Sequence, residues 1–184
     1  LEKFLTMERP QLVVIQPSGH VFAEVADPYR ETRPKTADEL EADRASFFSF
    51  FDERLKADRI DDTRLIRYFT YGINEWQETD VWPPAGLHWE TWYFGPANQL
   101  LPEVPADPIA TDHYQVNFTA TTGASNRWMT QMGQSVQYGD RAGEDEKLLT
   151  YTSAPFDADM ELTGSVTVTF YVNTSHSDGA FHVY

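Results

Sequence analysis

The stretch Leu12 to His20, LVVIQPSGH, sets a histidine just beyond an apolar run. Imidazole titrates nearest neutral pH, so it can take up a proton and return it within one catalytic cycle. Leu12, Val13, Val14 and Ile15 show no polar alternation and predict a strand buried on both faces, central in its sheet. Pro17 and Gly19 stop that strand and force a loop. In open α/β sheets, reactive groups sit just past the carboxyl ends of strands, and His20 falls there. On the residues alone, a loop histidine without a role is the simpler reading.

The other candidates read as structure. His88, His113, His176 and His182 are scattered over separate segments, and none has metal-ligand spacing with a neighbouring carboxylate. No metal site is expected. Ser175-His176-Ser177-Asp178 brings triad residue types together, but neighbours along an extended chain point different ways. Asp58, Asp61 and Asp62 predict a solvated turn and lack the alternating oxygens and central glycine of a calcium loop. A G-x-S-x-G nucleophile elbow is absent. Gly133-Gln134-Ser135-Val136-Gln137 comes nearest and fails at its last position.

Composition narrows the partners. Fourteen basic against 29 acidic residues give a net charge of −15, which repels phosphate backbones and anionic lipid. Nucleic acid and membrane are therefore disfavoured. No apolar run approaches 20 residues and no signal peptide is evident. With no cysteine, disulfides, thiolate metal sites and a cysteine nucleophile are excluded. The compartment stays open, with the cytoplasm favoured, and so does the oligomeric state. Hydrophobic residues at 41% and aromatics at 14% suffice for a folded core.

These side chains need elements to hold them. Leu1 to Arg9 predicts the end of a helix, with Pro10 turning into the strand. Val21 to Lys35 is polar and broken by Pro28 and Pro34, and predicts an irregular loop. Thr36 and Glu39 form a capping box that opens a helix ending near Lys56 to Arg59. Its stripe of Leu40, Phe47, Phe51 and Leu55, widened by Phe48 and Phe50, predicts core packing. From about Arg64 the pattern turns β. Runs at Leu65–Tyr71, Trp89–Phe94, Tyr114–Phe118, Leu148–Tyr151 and Ala180–Tyr184 predict strands. In Gly164–Asn173, Val166, Val168, Phe170 and Val172 alternate with polar or exposed positions and should face inward. Short strands divided by Pro83-Pro84, Gly95-Pro96 and the Pro102 to Pro108 segment suggest a sandwich or jelly roll.

Three segments, in order, resemble the cocaine-esterase and X-Pro dipeptidyl-peptidase group of serine hydrolases. LVVIQPSGH resembles that family's last sheet strand and histidine loop. Ile66 to Gly86, IRYFTYGINEWQETDVWPPAG, resembles the first strand after the hydrolase domain. Leu148 to Phe181 resembles the family's Tyr-Thr-Ser-x-Pro, Thr-Gly and Asp-x-x-Phe pattern. The Phe-rich helix fits as the final hydrolase helix.

The resemblance implies the end of an α/β-hydrolase domain at residues 1–60, one last parallel strand plus a helix. A mainly β jelly roll of galactose-binding-like form follows at 61–184, incomplete because further strands are expected after Tyr184. It implies a serine-type acyl hydrolase cleaving small-molecule esters or X-Pro amides of peptides through an acyl-enzyme. His20 would be its general base, and no cofactor is needed. The serine and acid of the triad would lie in a missing N-terminal hydrolase segment, so this chain alone should be inactive. Two positions depart from the family pattern. Gln16-Pro17-Ser18-Gly19-His20 stands where Gly-Pro-Trp-x-His is usual, and Ala180 replaces an aspartate. The rival reading is a non-catalytic jelly roll that binds carbohydrate or a partner through Trp76, Trp82, Trp89, Trp92 and Trp128. Most of these indoles are more simply packing residues.

Overall fold

A computed structural model describes residues 1–20, 22–27, 30–56, 62–107, 109–123, 127–132 and 139–183. Val21, Pro28, Asp58, Arg59, Asp61, Tyr184 and the Gly133–Gln137 segment lie outside them.

Helix α1 (Glu2–Thr6) precedes strand β1 (Gln11–Ile15). A short hairpin of β2 (Glu24–Val25) and β3 (Arg33–Pro34) interrupts the loop expected to be irregular. Helix α2 (Ala37–Leu55) leads into β4 (Arg64–Thr70), which turns into β5 (Glu75–Thr79). Strands β1, β4 and β5 form one sheet in that order, β1 parallel to β4 and β4 antiparallel to β5. Parallel neighbours need a crossover, and α2 supplies it. The sheet thus joins residues on both sides of position 60, so no break in pairing coincides with the expected domain division.

The capping box forms as its spacing requires. The Glu39 N–H donates to Thr36 Oγ1 at 3.2 Å, and the Thr36 N–H donates to Glu39 Oε2 at 2.8 Å. The aromatic stripe behaves otherwise. Phe47, Phe48, Phe51 and Leu55 are exposed, and the Phe47 and Phe51 rings lean on each other at 4.9 Å. The residues facing the sheet are Ser46, Ser49, Phe50, Glu53 and Arg54, which border a cleft of about 230 Å³ with Gln11, Leu12, Thr63 and Leu65. Successive residues turn about 100° round a helix, so with Phe50 on the sheet side, Phe47, Phe48, Phe51 and Leu55 are directed away from the β1–β4–β5 sheet.

Strand β1 also differs from expectation. Among the described residues it pairs with β4 alone, so it is the sheet's edge, and Val14 and Ile15 stay 45% and 37% exposed. Ile66, in the middle strand, is fully buried, and Phe4, Ala26 and Pro17 are buried as well.

Past β5 regular structure is sparse. Strand β6 (Tyr93–Phe94) pairs with β7 (Leu100–Leu101), and Gln99 bridges to Thr152. A six-residue 3₁₀ segment (Arg127–Met132) and the short α3 (Ala142–Asp145) follow. Tyr114–Phe118, Leu148–Tyr151 and Gly164–Asn173 form no strands, and neither do the described residues of the last run, 180–183. A two-residue period specifies which face a segment would bury, but a strand also needs a neighbour for its N–H and C=O groups. Among the described residues none pairs with Gly164–Asn173, and Val166 is 91% exposed. The chain's surface of 15299 Å² compares with about 9,000 Å² for a compact monomer of its mass.

The mutational consequence is sharp. Ile66→Ala should cost about 2–4 kcal/mol, since it opens a void at a fully enclosed position. Val168→Asp, placed on a surface segment, should change stability by less than about 1 kcal/mol. Urea unfolding of the two variants tests the contrast, and a large loss at Val168 would mean that its segment is packed after all.

Candidate active site

Strand β1 delivers the histidine loop at its carboxyl end. Pro17 is buried, and the Ser18 N–H turns back to the Gln16 carbonyl at 2.9 Å. The Phe22 N–H donates to the Gly19 carbonyl at 3.2 Å, a tight turn with His20 inside it. Phe22 closes the turn in the left-handed region, at φ 59°. The Ala26 N–H then donates to the Pro17 carbonyl at 3.0 Å and shuts the loop at its base. Further out, the Lys35 N–H reaches the Ala23 carbonyl at 2.9 Å. The result is an exposed imidazole on a loop whose backbone is tied by these four hydrogen bonds. Among the described residues His20 has no hydrogen-bond partner.

Two ion pairs fasten the far arm of the loop to α2. Arg33 grips Glu39 with both nitrogens, at 2.7 and 2.8 Å, and Lys35 Nζ meets Asp43 at 2.6 Å. A bidentate guanidinium–carboxylate pair fixes geometry as well as charge. The Arg33 hydrogen bonds, then the Thr36 backbone N–H, hold the Glu39 carboxyl down at about 2. The same carboxylate pushes the Arg33 guanidinium up.

The structure adds residues that the sequence did not single out. Glu24 and Asp27 are 7% and 8% exposed, buried carboxylates inside the histidine loop. His20 is hydrogen-bonded to neither. They lie in the polar, proline-broken segment that predicts an irregular loop, Glu24 within β2 and Asp27 two residues past it. Tyr71, just past β4, donates its hydroxyl to the Ala26 carbonyl at 2.7 Å. No local pattern could have revealed that contact, because 45 residues separate its ends.

Other candidates do not converge on the loop. The cleft beside α2 opens at the Gln11 end of β1, opposite His20. Ser175 Oγ lies 3.0 Å from His176 Nδ1, on an exposed segment that Asp178 does not complete among the described residues. No group of three metal-ligating side chains occurs among the described residues, nor is any described helix long and apolar enough to cross a membrane. Of the tryptophans, Trp76 contacts Phe69 and lies under the Arg67 guanidinium, Trp82 contacts Tyr68, and Trp92 contacts Phe156.

Comparison with known proteins defines the class first: the chain is a member of a hydrolase family. Residues 58–184 match the X-Pro dipeptidyl-peptidase C-terminal non-catalytic domain, a mainly β domain. The chain belongs to the X-Pro dipeptidyl-peptidase and cocaine-esterase type of family, as its C-terminal portion. Two curated relatives are "Putative serine esterase Mb1866c" of Mycobacterium bovis and "Putative serine esterase MT1883" of Mycobacterium tuberculosis. Each is 37% identical over 190 residues, an alignment that takes in 100% of this chain and 29% of the relative. The chain thus spans under a third of the length of the curated relatives it matches. No solved structure matches it significantly.

The Arg33–Glu39 clamp gives a pH test. Glu39 titrates lower when folded than the ordinary 4.5, so its contribution is complete above about 4.5 and is lost as the pH falls through about 2. A carboxyl NMR titration should find Glu39 still ionised at pH 3.5. Glu39→Gln should remove the acid-side loosening of the α2 start. An ordinary midpoint near 4.5 would show that the clamp is not made in solution.

Proposed function

We propose that this chain is the C-terminal part of a serine-type acyl hydrolase of the α/β-hydrolase class, and that His20 is its general base. The observation that carries the reading is the exposed imidazole at the carboxyl end of β1, on a loop closed by the Ala26-to-Pro17 hydrogen bond. A general base must reach a serine hydroxyl, and a loop at that edge of a sheet is suited to it. The 37% identity to the serine esterases extends over the whole chain, so it includes the His20 loop ahead of the non-catalytic domain match.

The serine and the acid of the triad belong to an upstream segment. His20 takes the serine proton as the hydroxyl attacks an ester or X-Pro amide carbonyl, then returns it to the leaving alcohol or amine. A water then attacks the acyl-enzyme and gives a proton to His20, which returns it to the serine oxygen as the acyl group leaves as the carboxylic acid. Neutral imidazole serves both halves. The unpaired edge of β1 and the outward stripe of Phe47, Phe48, Phe51 and Leu55 are where the upstream sheet and helices would pack. Residues 1–60 would close the hydrolase domain, and 61–184 would form a jelly roll whose strands pair once that body is in place.

In the full-length protein, His20→Ala should lower the rate about 10⁴-fold or more, because base and nucleophile act as a unit. The thermal melt should stay unchanged, since an exposed loop side chain supports little of the fold. The isolated chain should not turn over a p-nitrophenyl ester. Full-length activity within tenfold of wild type would remove His20 from the mechanism.

A further inference from the structure

Resting on that reading of His20, we infer that Tyr71 is a positioning residue for the general base. It stands at the start of the non-catalytic domain and holds the histidine loop by a hydrogen bond to Ala26.

Ala26 is the node of the loop. It is 8% exposed, its N–H closes the loop on the Pro17 carbonyl, and its own carbonyl accepts from the Tyr71 hydroxyl at 2.7 Å. One residue, through the two peptide groups that flank its Cα, therefore links the His20 turn to the β4–β5 hairpin. Tyr71 is itself placed firmly. It opens the turn Tyr71-Gly72-Ile73-Asn74, in which the Asn74 N–H donates to the Thr70 carbonyl at 3.0 Å. Gly72 and Asn74 adopt left-handed backbone, at φ 88° and 58°, and Asn74 Nδ2 donates to the Gly72 carbonyl at 2.9 Å. The Phe69 ring lies edge-on to Tyr71 at 5.7 Å, and Phe69 is fixed in β4 opposite Trp76. Because β4 also pairs in parallel with β1, the strand that leads into the His20 loop and the side chain that holds its return arm sit in one sheet.

The geometry gives the non-catalytic domain a task in the chemistry without a contact to substrate. A misplacement of about 1 Å in a catalytic group costs up to about 10²-fold, so a loose loop base should show in turnover before it shows in stability.

The experiment is steady-state kinetics of the full-length protein on a p-nitrophenyl ester, with a thermal melt for each of three variants. Tyr71→Phe removes the hydroxyl and keeps the ring. It should lower kcat roughly 10- to 100-fold, leave KM within about twofold and leave the melt in place. Tyr151→Phe is the control. It deletes a comparable hydroxyl contact, to Asp112 at 2.6 Å, far along the chain from the histidine loop, and should keep wild-type kcat. His20→Ala separates the two readings. An inactive His20→Ala beside a wild-type Tyr71→Phe would overturn the positioning role alone. An active His20→Ala would overturn both. Equal kcat losses in Tyr71→Phe and Tyr151→Phe, or a lowered melt in Tyr71→Phe, would make the contact merely structural.

Discussion

The parallel pairing of β1 with β4 is the constraint on which the rest depends. Five residue pairs, from Gln11 with Arg64 to Ile15 with Tyr68, hold together segments more than fifty positions apart in sequence. The pairing encloses Ile66, fixes where β1 ends, and so fixes where the histidine loop begins. It also carries β4 to Thr70, which places the next residue, Tyr71, against the base of that loop. Without it, the loop's internal hydrogen bonds would shape a turn but would not aim it.

The histidine loop is then held by two kinds of force. Backbone hydrogen bonds set its shape. Two ion pairs tie its return arm to the start of α2, where the Thr36–Glu39 cap also lies, so Glu39 serves the helix and the loop together. Exposed ion pairs are weak singly, but a bidentate pair shared with a cap restricts direction as well as distance. Buried Glu24 and Asp27 mark the hairpin between as a packed structure, not a solvated strap.

Apolar surface is distributed in the opposite way from a self-contained domain. The phenylalanine stripe of α2, one edge of β1 and the Gly164–Asn173 segment are all open. Each has the pattern of a buried element yet stays exposed, and Gly164–Asn173 meets only scattered side chains, Trp82 at Ser165 and Phe181 at Phe170 among the described residues. The hydrophobic effect has no direction, so a sequence pattern states that a face should be covered and leaves open by what.

Much of this was legible in the residues. The capping box gave the start of α2, the apolar run gave β1, Leu65–Tyr71 gave β4, and the ordered motifs gave the family, because each rests on local chemistry or on short spacing. The β2–β3 hairpin, the burial of Glu24 and Asp27, the edge position of β1 and the outward stripe of α2 were not, since each depends on which distant segment supplies a partner. The sequence by itself determined the chemical type of His20, the strand and loop that present it, and the periods of the elements around it. Only the tertiary structure decided that Tyr71 meets Ala26, that Arg33 meets Glu39 across the loop, and that Gly164–Asn173 finds no strand partner among the described residues. The physical reason is that periodicity fixes the face a residue occupies, while hydrogen bonds and ion pairs form only where chain closure brings donor and acceptor within about 3 Å.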